Sequence, residues 1–317
     1  MIAQIEVEKS KQFEGHNGAI YTLEPANEKH VFFSGSSDNL VVAWNMKNQG
    51  QNKVVAQLPA KAMALKYVLD KNILLVGQSL GGVHVIDLNK NEEIKLLQLH
   101  RQSIYDIQYL PEKECFWVAA GDGTLSVWSI NDFSLITALQ LCDKKIRSIA
   151  FNTILKEAAI GCGDGSIRIY DFETYEEKKI IKGHLDDFSV NVVYYHPNGK
   201  HLLSGSRDAF LNVWDIEKEY ALINHIPAHN YAIYSIVFSP DMKFFATGSR
   251  DKTIKIWDAK SFEMLLRIDK KQYDGHTHSV NKLFWSDLNN DLISTGDDSA
   301  IMVWKIINYT STPKVQR

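Results

Sequence analysis

Cysteine is scarce in this chain. Cys115, Cys142 and Cys162 are an odd number with no Cys-x-x-Cys spacing. A disulfide framework or zinc ribbon is therefore not expected, and a reducing, cytoplasmic compartment is. No apolar run approaches the ~18 residues of a conventional transmembrane helix, so no membrane partner is expected. The opening residues, MIAQIEVEKSKQF, lack the charged-then-apolar layout of a secretory signal. Charge of one sign is missing too. Lys+Arg 35 against Asp+Glu 38 leave a net charge of -3, so no global basic bias draws the chain to nucleic acid. No stretch shows convincing helical periodicity. What is present is apolar: a hydrophobic fraction of 45% suffices to bury a core and excludes a disordered chain.

The chain repeats. FSGSSDNLVVAWN, AAGDGTLSVWS, IGCGDGSIRIYD, LSGSRDAFLNVWD, ATGSRDKTIKIWD and STGDDSAIMVWK each hold a short apolar run, a turn with Asp, and an alternating strand that ends in an aromatic. The aromatics are Trp44, Trp128, Tyr170, Trp214, Trp257 and Trp304, and a weaker copy places Ile86 in the gap. Successive spacings are 42, 42, 42, 44, 43 and 47. Seven units fill the chain. Within each, segments such as TIKIW alternate with the period of a half-buried strand, and turn clusters such as SPDMK separate them. An all-β array with this period is met by small four-stranded sheets arranged radially.

These residues resemble the WD40 repeat family over essentially the whole length. The family's Gly-His pair stands at Gly15-His16, Gly183-His184 and Gly275-His276, with Ala228-His229 and Leu99-His100 as variants. Its turn aspartate stands at Asp38, Asp122, Asp164, Asp208, Asp251 and Asp298, each six residues before the aromatic. Unit 2 has Leu58 and Leu80 in the His and Asp slots, and unit 4 has Cys142 in the His slot, so packing is expected to hold those blades. The resemblance implies one all-β domain over 1–317, a seven-bladed β-propeller of four-stranded antiparallel blades. Because an open array leaves two sheet edges bare, residues 4–13 are expected to close the ring as outer strand d of the last blade. A polar tail is expected over about 307–317.

Several motifs look like chemistry. His16/Asp38/Ser34, His184/Asp208/Ser204, His229/Asp251/Thr247 and His276/Asp298/Thr295 each imitate a catalytic triad. A nucleophile should be unique and beside a cleft, whereas these recur around the chain. The resemblance implies a buried chain instead, from Asp to His to Ser/Thr to the indole N–H of Trp44, Trp214, Trp257 and Trp304. Gly161-Cys162-Gly163-Asp164-Gly165 suggests a phosphate loop, but no helix follows it. The eleven histidines form no HExxH. No metal, cofactor or catalytic residue is expected.

The resemblance also implies which positions face the rim around the central channel: three and five residues after the His slot, and one before the turn Asp. Among them are Tyr21, Lys61, Met63, Tyr105, Lys145, Arg147, Asn191, Arg207, Tyr234 and Arg250. Tyr and Arg are the types that carry interface energy, and Arg147, Arg207 and Arg250 fall in consecutive units. Only Asp297, with Asp186 and Asp187 nearby, is acidic. Phe188 and Tyr273 are apolar residues in the longer loops, either contact anchors or loop packing. The expected function is a non-catalytic scaffold or adaptor, a monomer or a subunit of a larger complex. Its expected partner is a protein or peptide, in particular an acidic or phosphorylated segment. The alternatives are an enzyme with an unrecognised channel site, or nucleic-acid binding through the basic patch of blades 4–6. The aromatics there are too sparse for base stacking.

Overall fold

The structure, a computed structural model, describes residues 4–310. Among these residues the chain forms seven four-stranded antiparallel sheets. Six are built from consecutive segments. Blade 5 is typical: strand a is Val190–Tyr195, b His201–Ser206, c Phe210–Asp215 and d Ala221–Pro227. Inner strand a packs on the inner strand of the next blade, and that of blade 7 packs on that of blade 1, which closes the ring.

Alternation sets the strand faces. Strand c of blade 6, Ile254–Asp258, buries Ile254, Ile256 and Trp257 and leaves Lys255 half-exposed. Blades then stack sheet against sheet. Close approach is needed where strand b meets the next strand a: a Cβ on Gly77 would stand 2.5 Å from Ile104 Cγ2. That contact is tighter than any side chain tolerates, so glycine is what lets the two sheets pack.

The seventh sheet joins the two ends of the described chain. Its order is Gln4–Phe13, Ile301–Thr310, Leu292–Gly296, Val280–Trp285. The outer strand buries Ile5, Val7 and Phe13. One expectation changes. Strand c does not stop at Ile306 but continues to Thr310, with Ile5 opposite Tyr309 and Gln4 opposite Thr310. The cause is Tyr309, whose ring meets Phe244 edge-on at 4.7 Å and whose hydroxyl donates to Asp258 at 3.3 Å. Residues 307–310 are thus strand rather than tail, and 311–317 lie outside the described residues.

Candidate functional site

The inner strands surround a channel of about 930 Å³. All seven carry a β-bulge at the same place, one residue into the strand. In blade 3, Ile104 pairs with Ala120 and Asp106 with Ala119, so Tyr105 drops out of the ladder. The same break frees Tyr21, Met63, Arg147, Asn191, Tyr234 and Asn281. A bulge bends its strand and re-aims the extra side chain. Here it turns seven side chains to the channel, whose wall includes all of them. Side chains on the inner strands also tie neighbouring blades together. Asp106 accepts from the Ile149 N–H at 2.8 Å, Ser235 from the Leu283 N–H at 3.1 Å, and Asn281 donates to the Ile20 carbonyl at 3.0 Å.

Of the rim residues expected from the sequence, Tyr21, Lys61, Met63, Tyr105, Arg147 and Tyr234 line the channel. Lys145, Arg207 and Arg250 are not part of its wall. Asn191 requires a correction. It is only 7% exposed, and its Nδ2 donates to the Ile233 carbonyl at 3.1 Å. One amide N–H thus joins blade 5 to blade 6, while the residue remains part of the channel wall.

The cations of blades 4 to 6 stand apart from carboxylates. Among the described residues none of Lys145, Arg147, Arg207 and Arg250 forms a salt bridge, whereas Lys144 pairs with Asp187 and Arg168 with Glu177. Burial, and then the charges of Arg147 and Arg207, hold the Lys145 ammonium below its ordinary value. Each arginine stands over a ring instead: Arg147 over Tyr105 at 4.2 Å, Arg207 over Phe188 at 5.6 Å, Arg250 over Tyr231 at 5.9 Å. Among the described residues the Nε of Arg147 is buried without a partner. Stacking on a ring leaves the edge of a guanidinium open to bind oxygen. The longer loops therefore differ. Phe188 is exposed under Arg207, while Tyr273, in the short helix Lys270–Tyr273, packs against the core of blades 6 and 7. Tyr231, 59% exposed in the loop before Tyr234, had no distinguishing signal in the sequence.

The repeated polar residues lie inside the blades. In blade 5, Trp214 Nε1 donates to Ser204 Oγ at 2.8 Å, Ser204 Oγ lies 2.8 Å from His184 Nε2, and His184 Nδ1 lies 2.9 Å from Asp208. Blade 1 repeats this with Trp44, Ser34, His16 and Asp38, and blade 6 with Trp257, Thr247, His229 and Asp251. In blade 7 the hydroxyl is that of Ser294, 2.8 Å from both Trp304 Nε1 and His276 Nε2, with Asp298 on the far side of the ring. Thr295 is not the link, because adjacent residues of a strand face opposite ways. Its hydroxyl donates to the Ala300 carbonyl at 3.2 Å.

A fifth chain appears in blade 3. His100 Nε2 lies 2.8 Å from Ser126 Oγ, which accepts from Trp128 Nε1 at 2.7 Å. Ser126 lies on strand c directly opposite Val118 of strand b. In blade 1 the pair is reversed, with Ser34 on b opposite Val42 on c. The hydroxyl has crossed the ladder. Each turn Asp also holds its own b–c turn: Asp251 accepts from the Thr253 and Asn230 N–H groups, both at 3.0 Å. Every histidine of these chains has a buried side chain, so none presents a nucleophile's partner to solvent.

The family model of the WD domain, G-beta repeat, matches residues 7–45, 175–215, 220–258 and 269–305. These four segments are WD40 repeats. Blades 2 and 3 and the three inner strands of blade 4 fall outside those matches, and blades 2 and 4 are the two in which the His–Asp–hydroxyl–Trp chain is lost. This chain is similar to the Nuclear distribution protein PAC1 of Arthroderma otae, 32% identical over 53% of this chain and 37% of that protein. It is 21% identical to the Guanine nucleotide-binding protein subunit beta of Zea mays, over 67% of this chain and 59% of that one. It is 22% identical to Pre-mRNA-processing factor 19 of Bos taurus, over 53% of this chain and 33% of that one. The matches span less than two thirds of each of these relatives.

The WD40 chains make the propeller acid-sensitive. Burial alone would raise the Asp251 carboxyl, but hydrogen bonds from His229 and Thr253 outweigh it and hold it well below the carboxylate range. Asp38, Asp208 and Asp298 are lowered in the same way. Burial lowers His229 and His100 despite their aspartates. A lowered carboxyl stabilises the fold above its unfolded value of ~3.9, and that stability is lost as pH falls towards the folded value. A lowered histidine acts in the same direction, losing stability as pH falls below ~6.5. Melting followed by circular dichroism is expected to show a Tm that declines gently below about pH 6.5 and steeply below about pH 4. A Tm that rises on acidification would contradict this account.

Proposed function

We propose that this propeller is a non-catalytic interaction platform whose channel mouth binds an acidic segment of a protein or peptide through carboxylate or phosphate oxygens. The observation that carries the reading is the run of four cations, Lys145, Arg147, Arg207 and Arg250, on consecutive blades with no carboxylate partner among the described residues. Planar guanidinium groups bind such oxygens in pairs. A rigid, closed ring supports the platform reading, and the maize relative is by its name a subunit of an assembly. The burial of the repeated histidines weighs against an enzyme built on them. Nucleic-acid binding is less favoured because the rings nearest the basic rim already lie beneath arginines, not open for base stacking.

The test is charge reversal. The Arg147→Glu, Arg207→Glu, Arg250→Glu triple variant is expected to keep its fold by circular dichroism. In pull-downs at low and high salt it should lose at least about tenfold, ~1.4 kcal/mol, of its affinity for the proteins retained by the wild type. Unchanged recovery at low salt would refute the acidic-ligand reading.

A further inference from the structure

Two of the chain's three cysteines fall in blade 4, Cys142 in the loop before strand a and Cys162 at the end of strand b. Cys142 stands in the slot that holds histidine in blades 1, 3, 5, 6 and 7. Cys162, two residues before the turn aspartate Asp164, stands where blades 1, 5 and 6 carry Ser36, Ser206 and Ser249. Ile160 and Arg168 occupy the two positions that supply the hydroxyl in other blades, so the polar chain does not explain a polarisable side chain at 142. What blade 4 has in its place is a pair of thiols.

The two cysteine segments lie directly on one another. The Gly163 N–H donates to the Lys145 carbonyl at 2.7 Å, and a Cβ on Gly163 would stand 3.0 Å from Lys144 Cβ. Within this contact the sister blades locate the sulfurs. Ser36, Ser206 and Ser249 each donate across it to a carbonyl of the facing loop, those of Gly18, Phe188 and Tyr231, at 3.1, 3.2 and 3.1 Å. The matching carbonyl in blade 4 is that of Lys144, and Cys142 Sγ lies 2.9 Å from it. The Cys142 sulfur therefore occupies the place that a side chain at position 162 reaches. Both residues belong to one packed cluster, with Cys162 buried and Cys142 half-buried at its edge. A hydrogen bond between the two thiols lowers Cys142 and raises Cys162. The Lys144 N–H and Arg168 assist the Cys142 thiolate, while burial and Asp164 oppose it. Cys115 differs: burial pushes its thiol up to about 11.

We infer that Cys142 and Cys162 form a reversible oxidation site, in which a hydroperoxide converts the two thiols into an intramolecular disulfide. The Cys142 thiolate attacks the terminal oxygen of the peroxide, the O–O bond breaks, and hydroxide or alkoxide leaves as the sulfur is oxidised to a sulfenic acid. The Cys162 sulfur then attacks that sulfur. The S–S bond forms, the S–O bond breaks, and the hydroxide leaves with the Cys162 proton as water. Cys142 is the attacking thiol because it is the more exposed and the more readily ionised of the two. Cys162, buried against it, closes the bridge. In a reducing compartment such a bridge is transient, and thiols reopen it.

The experiment treats the reduced full chain with stoichiometric hydrogen peroxide and maps it by mass spectrometry without reductant. The expected product is a linked peptide pair containing Cys142 and Cys162, with an intact mass lower by two hydrogens, and dithiothreitol should reverse it. Free thiols counted in denaturant should fall from three to one, leaving Cys115. Cys162→Ser puts back the serine of three sister blades, and in it Cys142 should stop at a sulfenic acid that dimedone captures. Cys142→Ser should consume peroxide at least about tenfold more slowly than the wild type. Cys115→Ser should form the bridge at the wild-type rate. Melting followed by circular dichroism verifies that each variant is folded before it is oxidised. Three outcomes each overturn the site: Cys142 and Cys162 both still free while the peroxide is spent elsewhere, Cys142 carried on to sulfinic acid while Cys162 stays free, or Cys142 joined only between two molecules.

Discussion

Removal of residues 1–13 is expected to abolish the cooperative thermal transition of the ring or to lower its Tm by more than ~15 °C. The deleted strand is one of four in blade 7 and buries Ile5, Val7 and Phe13 against it. At ~1.5–3 kcal/mol for each buried side chain, the apolar loss alone is ~5–9 kcal/mol, comparable with the ~5–15 kcal/mol that holds a whole domain together. The ladder from Gln4–Thr310 to Phe13–Ile301 goes as well, which bares the polar groups of Ile301–Thr310. Calorimetry and size-exclusion chromatography check this. The truncated chain should associate through the open edge, and a synthetic peptide of residues 4–13 added in trans should recover part of the lost Tm. A truncated chain that melts like the full one would mean that the ring is held by the inner strands alone.

The second large effect concerns the hydroxyl that changed strands. Ser126→Ala leaves His100 Nε2 and Trp128 Nε1 facing each other across a buried gap with no acceptor or donor between them. A buried group left without its hydrogen bond costs ~1–3 kcal/mol, so two orphans give ~2–6 kcal/mol of destabilisation by urea unfolding. Val118 stands opposite Ser126 on the neighbouring strand, where blade 1 carries its own serine. Val118→Ser in the Ser126→Ala background is therefore expected to restore at least half of the loss. As a single change in the wild type it should be neutral or destabilising, because it buries a second hydroxyl. Failure of the double variant to recover stability would show that the two sides of the ladder are not equivalent positions for the hydroxyl.

The sevenfold repeat was legible because its markers are rigidly spaced. An aromatic six residues after an aspartate recurs six times, and each pair is fixed by one turn and one strand. The turn imposes this: the residue after each aspartate is left-handed, including Asn39, Ala209, Lys252 and Ser299. Ring closure followed from counting strands. Other features depend on distances that one-dimensional spacing does not carry. Ser126 was invisible because strand b of its blade offers valine in the expected slot, and only the cross-strand register places a hydroxyl opposite it. Ser294 and Thr295 are adjacent hydroxyl residues, and the face of the strand decides between them. The channel positions could be found by phase, yet the burial of Asn191 depends on how near the next blade lies. Tyr309 sits in a polar stretch, and its role follows from Phe244 of the neighbouring blade.

The shared seventh sheet also governs the order of events during synthesis. Residues 4–13 emerge from the ribosome nearly three hundred residues before their partner strand, Ile301–Thr310, exists. Blades 1 to 6 are each contiguous in the chain and can form as they appear. The outermost strand of blade 7 must instead wait, extended and unpaired, throughout elongation. Its alternation of exposed Glu6 and Glu8 with buried Ile5 and Val7 keeps charge on one side of that waiting strand. Charges of this kind discourage edge-to-edge pairing between nascent chains. Pairing of that strand accordingly follows the synthesis of Ile301–Thr310, and anything that holds the first segment away leaves blade 7 one strand short.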